Sequence, residues 1–153
     1  MHAGLSGKIA IENLCNIPVT VDIASEFRYR NPIIDKNTLC IYISQSGETA
    51  DTIAALKLAK SKGATTLAVS NVIGSSITRE ADYSIYTHAG PEIAVASTKA
   101  YTSQVMLLII LAIYFAEILG STPSSELTKL KKDIFNLPDK IEEALKSSEE
   151  IKN

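Results

Sequence analysis

The sequence predicts an α/β fold with a parallel sheet flanked by helices, on three observations. Short, nearly continuous apolar runs occur at 38–43 (Thr-Leu-Cys-Ile-Tyr-Ile), 65–70 (Thr-Thr-Leu-Ala-Val-Ser) and 83–87. Such runs suit strands covered on both faces, as parallel strands are. They alternate with helical patterns, the order that builds strand-helix-strand units. The stretch 98–119 contains no Gly or Pro and is closed by Gly120, which marks it as the longest helix and the most buried one.

In chain order, residues 4–15 place Leu5, Ile9, Ile11 and Leu14 near helical spacing, and the pattern stops before Asn16-Ile17-Pro18. Val19-Thr20-Val21-Asp22-Ile23 alternates apolar and polar β-branched residues, so a short strand near a sheet edge is expected. After the 38–43 strand, residues 49–62 set Ile53, Leu56 and Ala59 on one helix face, with Gly63 as the stop. Residues 75–80 can form a helical turn between the second and third strands. Beyond Gly120, Ser121-Thr122-Pro123-Ser124-Ser125 is a turn, and the Lys-, Glu- and Ser-rich remainder should form two surface helices divided near Pro138.

Composition excludes several functions. Fifteen Lys and Arg against 17 Asp and Glu give a net charge of -2, too little positive charge to neutralise a phosphate backbone, so no nucleic-acid partner is expected. The apolar run 105–116 falls short of the about 20 residues that span a bilayer, and reads as a buried helix with no membrane role. The N-terminus lacks a basic segment followed by an apolar stretch, and Cys15 and Cys40 sit far apart in apolar surroundings, so a cytoplasmic location is the expectation. No metal set and no cofactor motif is found.

The most informative segment is Ser44-Gln45-Ser46-Gly47-Glu48-Thr49, between a buried strand and a helix start. Ligands bind α/β sheets at such junctions, where unpaired N–H groups and the helix dipole stabilise an oxyanion. Ser44, Ser46 and Thr49 add hydroxyls, Gly47 admits close approach, and the absence of Lys excludes a Walker A loop. The same Ser46 or Thr49 would equally serve as an ordinary helix cap. A second junction, 90–99, offers the small residues Ala94, Ala96 and Ser97 to a polyol and Lys99 as a charge, with capping by Ser97 or Thr98 as the plainer role. His88 has no acidic partner in the sequence and reads as a surface histidine, while Glu26, Arg28 and Arg30 form a docking patch. Glu142-Glu143 and Glu149-Glu150 read as solvated helix faces. No residue is assigned a catalytic role.

Four separated segments make the reading specific: Ala24-Ser25-Glu26-Phe27-Arg28-Tyr29-Arg30, 44–52, Ser70-Asn71-Val72 with Gly74-Ser75-Ser76, and 92–100. In that order they resemble the glucosamine-6-phosphate synthase (glutamine:fructose-6-phosphate aminotransferase) family, in its first sugar isomerase (SIS) domain. The resemblance implies a three-layer, flavodoxin-like domain that binds fructose 6-phosphate or glucosamine 6-phosphate. It implies that Ser44, Gln45, Ser46 and Thr49 hold the phosphate and that Val95, Ala96 and Ser97 contact the sugar. It also implies an SIS domain over 1–120 that lacks the family's first strand, and a helical linker over 121–153 leading to a second SIS domain. The family's glutaminase domain and second SIS domain are the expected partners within the parent chain, and the fragment alone should be inactive. Removal of the first strand should make 19–23 pair with a neighbouring strand or drive two chains together, so a homodimer is expected. Other readings are a regulatory SIS module that senses a sugar phosphate, for which no helix-turn-helix or basic stretch is present, and a scaffold that only dimerises.

Overall fold

A computed structural model describes residues 1–93 and 96–146. Helix α1 (His2–Cys15) buries Ala3, Gly7, Ile11 and Cys15, one residue per turn along a single stripe. That stripe faces α5 (Lys99–Leu119), the longest helix. Gly7 makes the crossing close, since a Cβ there would lie 2.8 Å from Leu108 Cδ1. Helix α2 (Ala24–Tyr29), which the sequence reading treated only as a patch, follows an extended segment and packs on α3 (Ala50–Ser61).

Strands β1 (Leu39–Ser44), β2 (Thr65–Ser70) and β3 (Tyr83–Tyr86) form one parallel sheet in the order β1-β2-β3. Alternation along the strands divides the core between two faces. Tyr42 and Ala68 pack with Ala55, Leu56 and Ala59 of α3 and Ile77 of α4 (Ser76–Glu80). Ile41, Ile43, Leu67 and Ile85 pack with Ala3 of α1 and Leu108 and Leu111 of α5. The result is the helix-sheet-helix layering expected. At the start of the strands, the Asp82 carboxylate accepts from Thr66 N–H (2.9 Å) and Thr66 Oγ1 (2.7 Å) and pairs with Lys60 (3.1 Å). The Thr66 hydrogen bonds, with Lys60 adding to them, hold the Asp82 carboxyl down to about 2.

Two expectations are corrected. Residues 19–23 form no strand and do not pair with β1. Their alternation has another cause: Val19 N–H donates to the Glu12 carboxylate (2.9 Å) and its carbonyl accepts from Lys8. Val21 lies beside Gly4, so the segment is anchored to α1 by side chains and half-burial instead of by a ladder. The Lys8 contact and the Val19 N–H hold the Glu12 carboxyl below its ordinary value. Second, α5 is longest but only one face is covered: Ala100, Leu108, Leu111, Ala112, Ile113 and Ala116 are buried, while Ile110, Tyr114, Ile118 and Leu119 are exposed. By length and composition α5 could cross a membrane, further than the 105–116 run suggested, yet its covered face belongs to the core against α1 and the sheet. The C-terminal helices α6 (Ser124–Phe135) and α7 (Leu137–Lys146) divide at Asn136, near Pro138 as expected, and Pro138 occupies the first turn of α7, where its missing N–H costs nothing. Helix α6 docks Leu127 into the α1/α5 cluster, whereas α7 buries no residue. Glu149 and Glu150 lie outside the described residues.

Candidate functional site

The parallel register aligns Ser44, Ser70 and Tyr86 across the sheet, so the loops after all three strands leave from one edge. Residues 44–49 lie at the predicted strand-to-helix junction, and the first loop folds on itself. Ser44 Oγ accepts from Gly47 N–H (3.0 Å), and Ser46 Oγ accepts from Glu48 N–H (3.3 Å). Each hydroxyl oxygen is thereby oriented by an amide while its own proton remains available for an anion. Gly47 is required here: its φ is 71°, and a Cβ would sit 2.1 Å from Ser75 Oγ.

The second loop, 70–76, braces the first. Asn71 N–H donates to Gln45 C=O (3.1 Å), and Ile77 N–H donates to Gly47 C=O (3.0 Å). Ser76 N–H donates to the Glu48 carboxylate (2.8 Å). Hydrogen bonds from the Ser76 side chain and backbone, with the Arg79 charge nearby, hold the Glu48 carboxyl below its ordinary value. Ser70 Oγ and Ser75 Oγ lie 3.3 Å apart beneath Gly47.

Thr49 is the N-cap residue of α3, but its hydroxyl makes no capping hydrogen bond. The first helical bond runs from Ile53 N–H to Thr49 C=O (3.1 Å), which leaves the N–H groups of 50–52 without intrahelical partners. Arg28 reaches this first turn from α2 and pairs with Asp51 at 2.6 Å. The sequence had assigned Arg28 to a docking patch; the structure places its charge at the helix start. Arg30 pairs with Asp22 at 2.7 Å.

The third loop carries the other predicted contacts. His88 is exposed, with φ 51°, and its ring lies 6.2 Å from that of Tyr86. Asn71 Oδ1 accepts from Thr87 Oγ1 (3.1 Å) and from Ala89 N–H (2.8 Å), and Asn71 Nδ2 donates to Gly90 C=O (2.8 Å). Farther on, the Glu92 carboxylate accepts from Thr98 N–H (2.7 Å), Ser97 Oγ (3.2 Å) and Thr98 Oγ1 (3.3 Å). The Thr98 N–H hydrogen bond is the main reason the Glu92 carboxyl lies below its ordinary value. Thr98 is the N-cap residue of α5, yet Glu92, not a Ser or Thr side chain, satisfies the helix start. Ala96 and Ser97 are exposed; Val95, like Ala94, lies outside the described residues.

Asn71, Glu92 and Arg28 were therefore missed as site-shaping residues. The available signal was positional: a polar residue directly after an apolar strand, and an acid just before a helix start. A surface depression of about 410 Å³ lies elsewhere, lined by Lys60, Gly63, Thr65, Asp82 and Tyr83 near the opposite ends of the strands. Its Lys60 and Asp82 already neutralise each other, so the chemistry favours the loop edge.

Comparison with known proteins bears on the family and the fold. The chain is 62% identical over 151 residues to glutamine–fructose-6-phosphate aminotransferase (isomerizing) of Clostridium tetani, covering 99% of this chain and 25% of that protein. The namesake of Clostridium acetobutylicum is 59% identical over 98% of the chain, again 25% of the relative. The chain thus spans about a quarter of the length of these curated relatives. Among solved structures, the C-terminal domain of glucosamine-fructose-6-phosphate aminotransferase from Francisella tularensis superposes with a TM-score of 0.91 at 39% identity, over 97% of this chain and 42% of that one. The SIS domain model matches residues 1–114, and on that match the chain belongs to the SIS domain family.

Proposed function

We propose that the chain is the phosphosugar-binding half of the isomerase part of a glutamine-dependent, hexosamine-forming aminotransferase, and that it holds fructose 6-phosphate or glucosamine 6-phosphate. The observation that carries the reading is the braced loop: the Ser44 and Ser46 hydroxyls, the uncommitted Thr49 hydroxyl and the N–H groups of 50–52 surround one end of α3. A phosphate dianion there gains hydrogen bonds and the favourable end of the helix dipole without a dedicated lysine. Gln45 stands at the rim as a further amide donor, and Val95, Ala96 and Ser97 are assigned to the sugar, on the segment that Asn71 ties to the same edge. The phosphate anchor then supplies binding energy that orients the reacting carbons.

The chain by itself leaves the reaction incomplete in this reading. Of the carboxylates beside the loops, Asp51 is paired with Arg28, and Glu48 and Glu92 are committed to backbone N–H groups with pKa values below ordinary, which makes them weak bases. Proton transfer and ring opening fall to a second SIS domain, ammonia supply to a glutaminase domain, and residues from 121 onward serve as the helical connection. The exposed Ile110, Tyr114 and Ile118 on α5 support association, assigned to a homodimer, and the free thiols Cys15 and Cys40 suit a reducing cytoplasm.

The test is calorimetric titration with fructose 6-phosphate, glucosamine 6-phosphate and inorganic phosphate, on the wild type and on Ser46→Ala/Thr49→Ala. Loss of two hydrogen bonds to a charged ligand should weaken sugar-phosphate binding by about 2 kcal/mol, roughly 30-fold. Unchanged affinity in the double variant would reject the site.

A further inference from the structure

We propose that Asn71 is the positioning residue that holds residues 87–90 against the phosphate loop, and that it thereby decides selectivity for a sugar phosphate over bare phosphate. The inference rests on the binding reading above and adds to it a residue that touches no ligand. Its backbone N–H holds Gln45 C=O in the first loop (3.1 Å). Its side chain holds the third loop at three successive points: Oδ1 takes Thr87 Oγ1 (3.1 Å) and Ala89 N–H (2.8 Å), and Nδ2 gives its proton to Gly90 C=O (2.8 Å). One short side chain therefore spans donor and acceptor roles that no aliphatic or singly functional side chain reproduces.

What it clamps is a strained turn. His88 lies between two of the clamped residues with φ 51°, a left-handed conformation that a non-glycine residue keeps only when its surroundings impose it. Gly90 follows at φ 70°. Together these residues put two left-handed conformations directly after β3, within the stretch that Asn71 holds. Besides the backbone bond from Thr87 N–H to Ser70 C=O (3.0 Å), a further hold among the described residues is Glu92, which fixes Ser97 and Thr98 at the start of α5. Asn71 is thus the described side chain that carries register from the phosphate loop into the sugar segment. Releasing it should leave the phosphate loop intact, because Ile77 N–H, Ser76 N–H and the Ser44 and Ser46 hydroxyls brace that loop independently, and the Asn71 backbone bond to Gln45 survives a side-chain change.

The experiment measures the affinities of fructose 6-phosphate and inorganic phosphate for the wild type, Asn71→Ala, Asn71→Asp and Thr87→Val, with amide hydrogen exchange at Ala89 followed in parallel. Asn71→Ala should reduce the preference for the sugar phosphate about tenfold while phosphate affinity changes by less than about threefold, and Ala89 should exchange faster. Asn71→Asp keeps the acceptor and loses the donor to Gly90, so it should fall between. Thr87→Val removes one bond at nearly constant shape, and should shift the preference by a smaller factor even if the alanine variant fails to fold. An unchanged preference in the variants, or a parallel loss of affinity for both ligands, overturns the proposal. A wild type that binds both ligands without preferring the sugar phosphate also overturns it, whereas a wild type that binds neither removes the binding reading first and this inference with it.

Discussion

The loop after β1 and the segment after β3 leave the same sheet edge, yet they are built differently. In the first, close packing does the holding: Gly47 sits against Ser75 and Ser70, and backbone bonds link the loop to Asn71 and Ile77. In the second, two side chains do most of it: Asn71 clamps 87–90 and Glu92 clamps 97–98, and Pro91, Ile93 and Ala96 are exposed. The first arrangement suits a fixed anion, whose geometry does not vary between ligands. The second depends on the reach of two side chains, so a single substitution in it removes several contacts at once.

The largest effect expected from this contrast lies in the packed loop. Gly47→Ala places a Cβ on Ser75 and forces a positive φ on an L-residue, so it should destabilise the domain by about 3 kcal/mol and abolish phosphate binding. Chemical denaturation checks it, and a shift within error of zero would mean that the loop is not braced as described. A smaller effect belongs to the clamped segment. Glu92→Ala removes the acceptor at the start of α5 and should lower stability by less than Gly47→Ala does, with phosphate affinity intact. Loss of phosphate binding in that variant would show the two regions to be one cooperative unit.

Acid should expose the same difference with a definite sign. Glu48 and Glu92 have folded pKa values below their ordinary 4.5, so each contributes stability that is present above that value and is lost as pH falls through the folded value. Asp82, held to about 2, contributes in the same direction between its ordinary 3.8 and about 2. Thermal midpoints should therefore decline below pH 4.5, and Glu92→Gln should flatten the upper part of that decline. A decline of equal size in Glu92→Gln would remove Glu92 from the account.

Most of the layering was legible in the sequence because burial dictates it. The apolar runs at 38–43, 65–70 and 83–87 have no other use than covered strands, and the junction 44–49 follows from where the first of them ends. What failed was whatever depends on a neighbour. Val19-Thr20-Val21-Asp22-Ile23 has strand chemistry, but a strand needs a ladder partner, and its backbone is satisfied by Glu12 and Lys8 of α1 instead. The α2 helix and the Arg28–Asp51 pair depend on a contact across 23 positions that no local pattern encodes. Asn71 and Glu92 stood inside segments the sequence singles out, but their roles were not legible, because those lie in what their side chains reach, not in their spacing.

The central claim is that an anion sits at the start of α3. Titration of isotopically labelled protein with inorganic phosphate, followed by amide chemical shifts, tests it most directly, because the predicted donors are themselves amides. The account predicts saturable shifts centred on 46–52, with Ala89 and Gly90 moving only when fructose 6-phosphate replaces phosphate. Shifts centred on Lys60, Gly63 and Thr65 at the opposite ends of the strands, with 46–52 unmoved, would contradict it.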